Sequence, residues 1–265
     1  MARERLTIED MRRIQLDIMD EIHRMCLEHG LTYYLAYGSL LGAVRHGGFI
    51  PWDDDTDILM LRDDYEELLA NFDQWRSSDR FALASYRAGG SFYPFTKVVD
   101  TTTVVLENFV RKDEGVGVWV DIFPYDEVDP SDRGLFRKRM RANLMYSFIL
   151  ADPAVGSSPW VKLVKRIVCP FVAHKDPRKY AAIMDDLARH ACPEGSPLLA
   201  DIVAQGDGEH VFPKELFEPI EMKFEDRTYW APAGYEELLT IQYGDWRTPP
   251  SIDDRAIHTC EAYRL

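Results

Sequence analysis

"GSLLGAVRHGGFIPWDDDTDI" (Gly38 to Ile58) carries four aspartates within five positions, Asp53, Asp54, Asp55 and Asp57, with Phe49, Ile50 and Trp52 directly beside them. Gly38 and Ser39 precede a stretch, "SLLGAVRH" (Ser39 to His46), whose pattern predicts a short helix stopped by Gly47 and Gly48. "DILMLR" (Asp57 to Arg62) reads as the strand that follows. Side chains alternate along extended chain, so Asp55 and Asp57 are expected on one face. A further acid, Asp121, lies in "VWVDIFP" (Val118 to Pro124), where Val118, Val120 and Ile122 share one face and Trp119, Asp121 and Phe123 the other. A carboxylate in such a run needs a partner. Lys112 and Arg133 lie outside the strand, so no cation near it in sequence is placed to neutralise it. If the two strands are neighbours, Asp121 joins Asp55 and Asp57.

The magnitudes of that arrangement matter. Two carboxylates about 4 Å apart repel by roughly 4 kcal/mol at an effective dielectric near 20. Three such pairs approach about 10 kcal/mol, comparable with the roughly 5–15 kcal/mol that stabilises a domain. Protonation relieves this, and so does a divalent cation, for which all-oxygen ligands favour Mg²⁺ or Mn²⁺. A solvated acidic turn is the other reading, but it does not need the strand context. Gly38-Ser39 at a helix start serves either as a plain turn or as an anion site built from exposed N–H groups. A phosphate-binding turn followed by a metal-binding acidic pair suits phosphoryl or nucleotidyl transfer.

The 265 residues suffice for one large domain, or for a core with a helical subdomain, and the 46% hydrophobic content supports a substantial interior. A net charge of −14 argues against a general nucleic-acid binder, and no nucleic acid is expected as a partner. The N-terminal "MARERLTIEDMRR" has charges where a signal peptide needs an apolar stretch. Cys26, Cys169, Cys192 and Cys260 are scattered, which suggests free thiols and a reducing, cytoplasmic setting. His190 with Cys192 is only a weak metal fragment.

Helical spacing of Met11, Ile14, Ile18, Ile22 and Met25, with Thr7 as cap, Asp10 three residues on and Gly30 as stop, predicts a first helix. A strand over 31–36 and a helix over 63–72 are expected. Strands follow over 81–87, 93–100 and 117–126, with another at 103–107. Helices broken at Pro153, Pro159, Pro170 and Pro177 should fill about 131–190, ahead of a hairpin near 220–232 and a helix over 233–244. The fold class is α+β, an α/β core with a helical region attached. Three parts are expected: a catalytic core over 1–130, a basic helical region over 131–210, and a C-terminal hairpin and helix over 211–265 that pack back on the core.

The pattern resembles the nucleotidyltransferase superfamily, with a Gly-Ser turn, an acid–x–acid strand and a third acid on a later strand. More narrowly, the chain resembles the LicD family of phosphotransferases, whose core the fukutin-related ribitol-phosphate transferases share. The stretches that carry the resemblance are Tyr37 to Ile58, "FTKVVD" (Phe95 to Asp100), "VWVDIFPYD" (Val118 to Asp126) and "LLTIQYGDWRTPP" (Leu238 to Pro250), together with His258. The resemblance implies a nucleotidyltransferase-like mixed sheet flanked by helices. It also implies transfer of a substituted phosphate, such as phosphocholine, from a CDP-linked donor such as CDP-choline to a hydroxyl of a cell-surface glycan or glycolipid precursor, with CMP leaving. Asp55 and Asp57 would hold Mg²⁺ or Mn²⁺ with Asp53 assisting. Asp121 would complete the metal site and take the acceptor's proton. Gly38 and Ser39 would hold donor phosphate, with Arg45 and Lys97 either as further phosphate contacts or in surface or salt-bridge roles. The scattered cysteines do not support the zinc site of the fukutin-related members. Trp52, Trp119, Tyr125 and Trp246 stand either in the core or in an aromatic cage for choline. Addition of NMP to a small molecule, an Asp-x-Asp glycosyltransferase and a non-catalytic nucleotide or glycan binder remain the alternatives.

From Arg133 to Lys179 there are eleven basic residues against Asp152 and Asp176, in a chain of net charge −14. Apolar residues interleave with them around Trp160 to Val168. This is either a solvated helical face or a surface for an anionic acceptor or the inner face of a membrane.

Overall fold

The computed structural model describes residues 4–107, 115–155, 158–192, 194–206, 208–251 and 260–265. His258 lies outside them. In chain order the elements are β1 (Glu4–Arg5), α1 (Ile8–His29), β2 (Tyr34–Leu35), α2 (Tyr37–His46), β3 (Asp57–Leu61), α3 (Arg62–Trp75), β4 (Phe81–Ala84), β5 (Thr96–Asp100), β6 (Thr103–Glu107) and β7 (Trp119–Glu127). Then come α4 (Arg133–Leu150), α5 (Pro159–Val172), α6 (Pro177–Arg189), β8 (Leu198–Ala200), β9 (Phe212–Pro213), a 3₁₀ turn (Lys214–Phe217), β10 (Pro219–Phe224), β11 (Arg227–Pro232), α7 (Tyr235–Tyr243) and β12 (Cys260–Arg264).

Local chemistry sets the ends of the first two helices. Thr7 and Asp10 form a reciprocal capping box at the start of α1, and Gly30 closes it in the left-handed conformation at φ 72°. Ile18, Met19, Ile22 and Met25 on its inner face are fully buried. Gly47 ends α2 in the same way at φ 74°. Pro170 does not break a helix as expected but lies inside α5. It lies two residues before the helix end, so it withdraws the one N–H that would reach the Arg166 carbonyl and leaves the earlier turns of α5 intact.

The central sheet runs β2-β3-β7-β5-β4, and β8 and β9 extend it from β7. The β3–β7 pair is parallel and its neighbours antiparallel, so the sheet is mixed and the fold is α+β. β7 is buried on both faces, since Val120 and Ile122 are inaccessible and Trp119, Asp121 and Phe123 nearly so. A second sheet joins β12 to β1 and β6, and β10 with β11 forms the expected hairpin. One large apolar cluster links α1, the central sheet and the C-terminal hairpin and helix. A smaller one gathers Val128, Leu135, Ala188, Ala191, Ile202 and Val203.

Gly42 shows how tightly the loop before β3 lies on α2. A Cβ there would stand 2.4 Å from the Gly48 carbonyl oxygen and 3.2 Å from the Ile50 nitrogen, both backbone atoms. Helix propensity favours alanine over glycine by about 1 kcal/mol, whereas forced overpacking costs about 1–3 kcal/mol. The clash is with backbone, so Gly42→Ala is expected to lower the thermal unfolding midpoint. A raised midpoint would show that the loop yields easily.

Candidate functional site

Asp57 and Asp121 are directly paired residues of the parallel β3–β7 ladder. Adjacent strands lie about 4.8 Å apart, so the two carboxylates are neighbours by register. The Asp121 N–H donates to the Thr56 carbonyl at 2.8 Å, which locks that register at the strand's first residue. β3 begins at Asp57, so Asp55 belongs to the preceding loop and not, as strand alternation suggested, to the strand itself. It is still close: burial pushes the Asp57 carboxyl well above the usual range, and the charges of Asp55, Asp121 and Asp53 push it further.

The acidic loop is held by its backbone. Arg12 of α1 donates through Nη2 to the carbonyls of Ile50, Pro51 and Asp53 at 2.9, 3.2 and 3.0 Å. Gln15, one turn on, donates to the Asp54 carbonyl at 2.8 Å. The Phe49 N–H donates to the Glu225 carboxylate from the β10–β11 turn at 3.0 Å. Ser39 is buried, and its Oγ accepts the Asp57 N–H at 2.8 Å, which ties the start of β3 to α2. Gly38 lies in the first turn of α2, where a Cβ would meet Asp53 Oδ2 at 2.6 Å and Asp57 Oδ2 at 4.0 Å. Glycine is therefore what admits the acids to this helix start.

Asp121 does have a neutralising cation, contrary to the sequence reading. Lys97 of β5 is its direct partner across the β5–β7 ladder. Its Nζ lies 2.8 Å from Asp121 Oδ1 and donates a hydrogen bond to Oδ2 at 3.2 Å. The Trp119 indole N–H donates to the same Oδ2 at 3.1 Å. The ammonium also stands 4.0 Å from the Trp119 ring centroid and 4.5 Å from that of Tyr93. Lys97 thus lies on Asp121, buried, where the sequence suggested a phosphate contact. Burial raises the Asp121 carboxyl, and Lys97 pulls it back.

Asp53, Asp55 and Asp57 open into a pocket of about 740 Å³ that Gly38 and Arg45 also line. Trp52, Tyr243 and Trp246 form aromatic wall, so two of the four aromatics singled out in the sequence face the cavity. Of the other two, Trp119 packs on Lys97, and Tyr125 is buried with its hydroxyl donating to that of Tyr37. Arg45 donates to the Trp246 carbonyl at 3.0 Å and so joins α2 to the segment after α7. Tyr243 was not singled out from sequence. Its phenol is pushed up by desolvation and then by Asp57, Asp53 and Asp55. Tyr37, which opens α2 with an unusual positive φ of 45°, donates its hydroxyl to the buried carboxylate of Asp201.

The donor set is oxygen throughout, as a hard divalent cation requires. Asp121 Oδ1 is buried without a directed hydrogen bond, and the lack of a side chain at Gly38 lets Asp53 Oδ2 reach the start of α2. Among the described residues, no three His, Cys, Asp or Glu side chains already form a closed metal cage. A cation would have to draw the carboxylates together against their mutual repulsion. The residues fit such an ion in kind. His190, by contrast, turns to Asp186, and Cys192 to the Gly195 carbonyl.

Two stability measurements test this electrostatics. Lys97→Met leaves a buried carboxylate unpaired, which typically costs about 3–5 kcal/mol. Lys97→Met with Asp121→Leu should recover most of that loss in urea unfolding, and a double variant no more stable than the single would refute the pairing. Asp201 is the second case: burial raises its carboxyl from 3.8 to about 6. Between those values the folded chain holds a proton that the unfolded chain has released, so stability falls as pH rises through the window. The fall is about 3 kcal/mol for this group. Asp201→Asn, neutral throughout, should flatten the urea-derived stability curve between about pH 4 and 6.

Residues 30–148, which contain the acidic loop, Lys97 and Asp121, match the family described as LicD/FKTN/FKRP, nucleotidyltransferase domain. The chain is 30% identical over 272 residues to the lipopolysaccharide cholinephosphotransferase LicD of Haemophilus influenzae, covering 99% of this chain and 100% of that one. It is 41% identical over 58 residues to the human ribitol 5-phosphate transferase FKRP, covering 22% of this chain and 11% of that one. The chain belongs to the LicD family and is a phosphotransferase of that type.

Proposed function

We propose that this enzyme transfers a substituted phosphate, phosphocholine in the first instance, from a CDP-linked donor to a hydroxyl of a cell-surface glycan or glycolipid precursor, releasing CMP. The observation that carries the reading is the in-register Asp57–Asp121 pair beside a pocket walled by Asp53, Asp55, Gly38 and Arg45. Asp55 and Asp57 would hold Mg²⁺ or Mn²⁺, with Asp53 and Asp121 completing the set. When bound, the ion would supply charge neutralisation for the phosphate oxygens and the leaving group. Arg45 provides a cation at the pocket wall for donor phosphate. No side chain caps the start of α2 by hydrogen bond, and the carboxylates of Asp53 and Asp57 lie against it, so donor phosphate would approach that helix end only together with the cation. Asp121 is the candidate to accept the proton of the attacking hydroxyl, with Lys97 and Trp119 fixing its orientation. Ser39 acts through Asp57 by holding the first residue of β3.

The headgroup reading draws on the wall of Trp52, Tyr243 and Trp246 together with the carboxylates. Aromatic faces and negative charge suit a quaternary ammonium better than a polyol. The similarity to LicD supports choline, and that to FKRP keeps ribitol as the second substrate to try. A nucleotide-linked donor and the free thiols of Cys26, Cys169 and Cys192 suit the cytoplasm.

Incubation with CDP-choline, CDP-ribitol, CDP-glycerol and UDP-sugars, each with Mg²⁺, is expected to release CMP, fastest from CDP-choline. EDTA should abolish turnover, and Mg²⁺ or Mn²⁺ should restore it. Asp57→Ala should lose at least about a thousandfold in rate, since metal placement fails. Asp121→Asn should lose a comparable factor in kcat while donor binding changes far less. UMP release, or full turnover in excess chelator, would refute the proposal.

A further inference from the structure

The outward face of α5 is apolar. Trp160, Leu163, Val164, Ile167 and Phe171 recur at helical spacing and are 73, 46, 45, 59 and 73% exposed. Cys169 and Val172, on the opposite side, are buried. The usual order of a surface helix, polar outside and apolar inside, is therefore not kept. α4 continues the surface: Met140 and Leu144 are 61 and 55% exposed. Leu144, Phe148 and Ala151 face Trp160, Val161 and Val164 across a groove of about 340 Å³.

Cations border this surface. Arg133, Arg137 and Arg141 are exposed and recur every fourth residue, on the same side of α4 as Met140 and Leu144. Arg166 is exposed beside the α5 stripe. Of the eleven basic residues between Arg133 and Lys179, only Arg139 is buried, where it donates to the carbonyls of Ile202, Val203 and Ala204. Positive charge is thus concentrated at the apolar surface of a chain whose net charge is −14.

We propose that α4 and α5 form a docking surface for an anionic lipid bilayer, with the α5 stripe entering the headgroup–acyl boundary and the α4 arginines on the headgroups. Charge complementarity selects this occupant. A second copy joined about a two-fold axis would set the same basic segment against itself. A folded protein partner would be fixed by polar groups, of which the groove offers only Ser147 and Lys165. Among the described residues no helix is long and apolar enough to cross a membrane, so the contact is peripheral.

The test needs neither donor nor acceptor, so it stands apart from the proposed reaction. The full chain is sedimented with vesicles of phosphatidylcholine alone and with vesicles that also contain phosphatidylglycerol, at low and high salt. It should partition to the anionic vesicles and weaken with salt. Ile167→Glu with Phe171→Glu should reduce partition by at least about tenfold. Arg133→Gln, Arg137→Gln and Arg141→Gln together should reduce it by about a hundredfold. All these side chains are exposed, so unchanged thermal midpoints check the fold, and Trp160→Gln alone serves if a combined variant melts early. Equal sedimentation with both vesicle types, or none with either, would overturn the proposal. So would a dimer of the parent chain, seen by light scattering, that the glutamate variant dissolves without change in vesicle partition.

Discussion

The parallel pairing of β3 with β7 is the constraint on which the site depends. It sets Asp57 opposite Asp121 in the one interior strand that antiparallel β5 also joins, so that Lys97 falls opposite Asp121 from the other side. The row Asp57–Asp121–Lys97 crosses three strands at one level of the sheet. A slip of a single residue would place Ile122 where Asp121 stands and turn each side chain to the wrong face. Burial of both faces of β7 makes such a slip costly, because the carboxylate and the ammonium would be separated inside an apolar layer.

Around that row the structure divides its labour. The sheet fixes two acids and a cation in a nearly dry interior, and a loop brings two more acids to the edge of a pocket. Burial of Asp57 among like charges is unfavourable for an isolated chain, and it persists because the Asp57 N–H donating to Ser39 and the hydrogen bonds from Arg12 and Gln15 over-determine the backbone around it. Unfavourable burial of charge of this kind is typical of functional sites.

Much of this was legible in the sequence. The capping box of Thr7 and Asp10, the glycine stops and the strand runs follow from periodicity, whereas the meeting of Asp121 with the first acids was conditional on the two strands being neighbours and came with the family resemblance. Lys97 stood open between a phosphate contact and a salt bridge because its partner is fixed by strand register, which pattern alone does not give. A lysine inside the apolar run "TKVVD" and a lone aspartate inside "VWVDIFP" were nonetheless a matched pair of signals. Strand alternation was extended back to Asp55, which stands in the loop two residues before β3. Arg12, Gln15, Glu225 and Asp201 act on the site from distant segments, three of them through backbone groups that carry no side-chain signature. β8 and β9, of three and two residues, are too short for periodicity to register.

The grip of α1 on the acidic loop separates architecture from chemistry. Arg12 and Gln15 hold Ile50, Pro51, Asp53 and Asp54 by their carbonyl oxygens, which every amino acid possesses. The path of the loop is thus largely indifferent to the side chains it displays. Relatives built on the same clamp are free to exchange residues at the pocket rim while the scaffold keeps its shape. The helix acts as a socket, and the loop as the interchangeable part it receives.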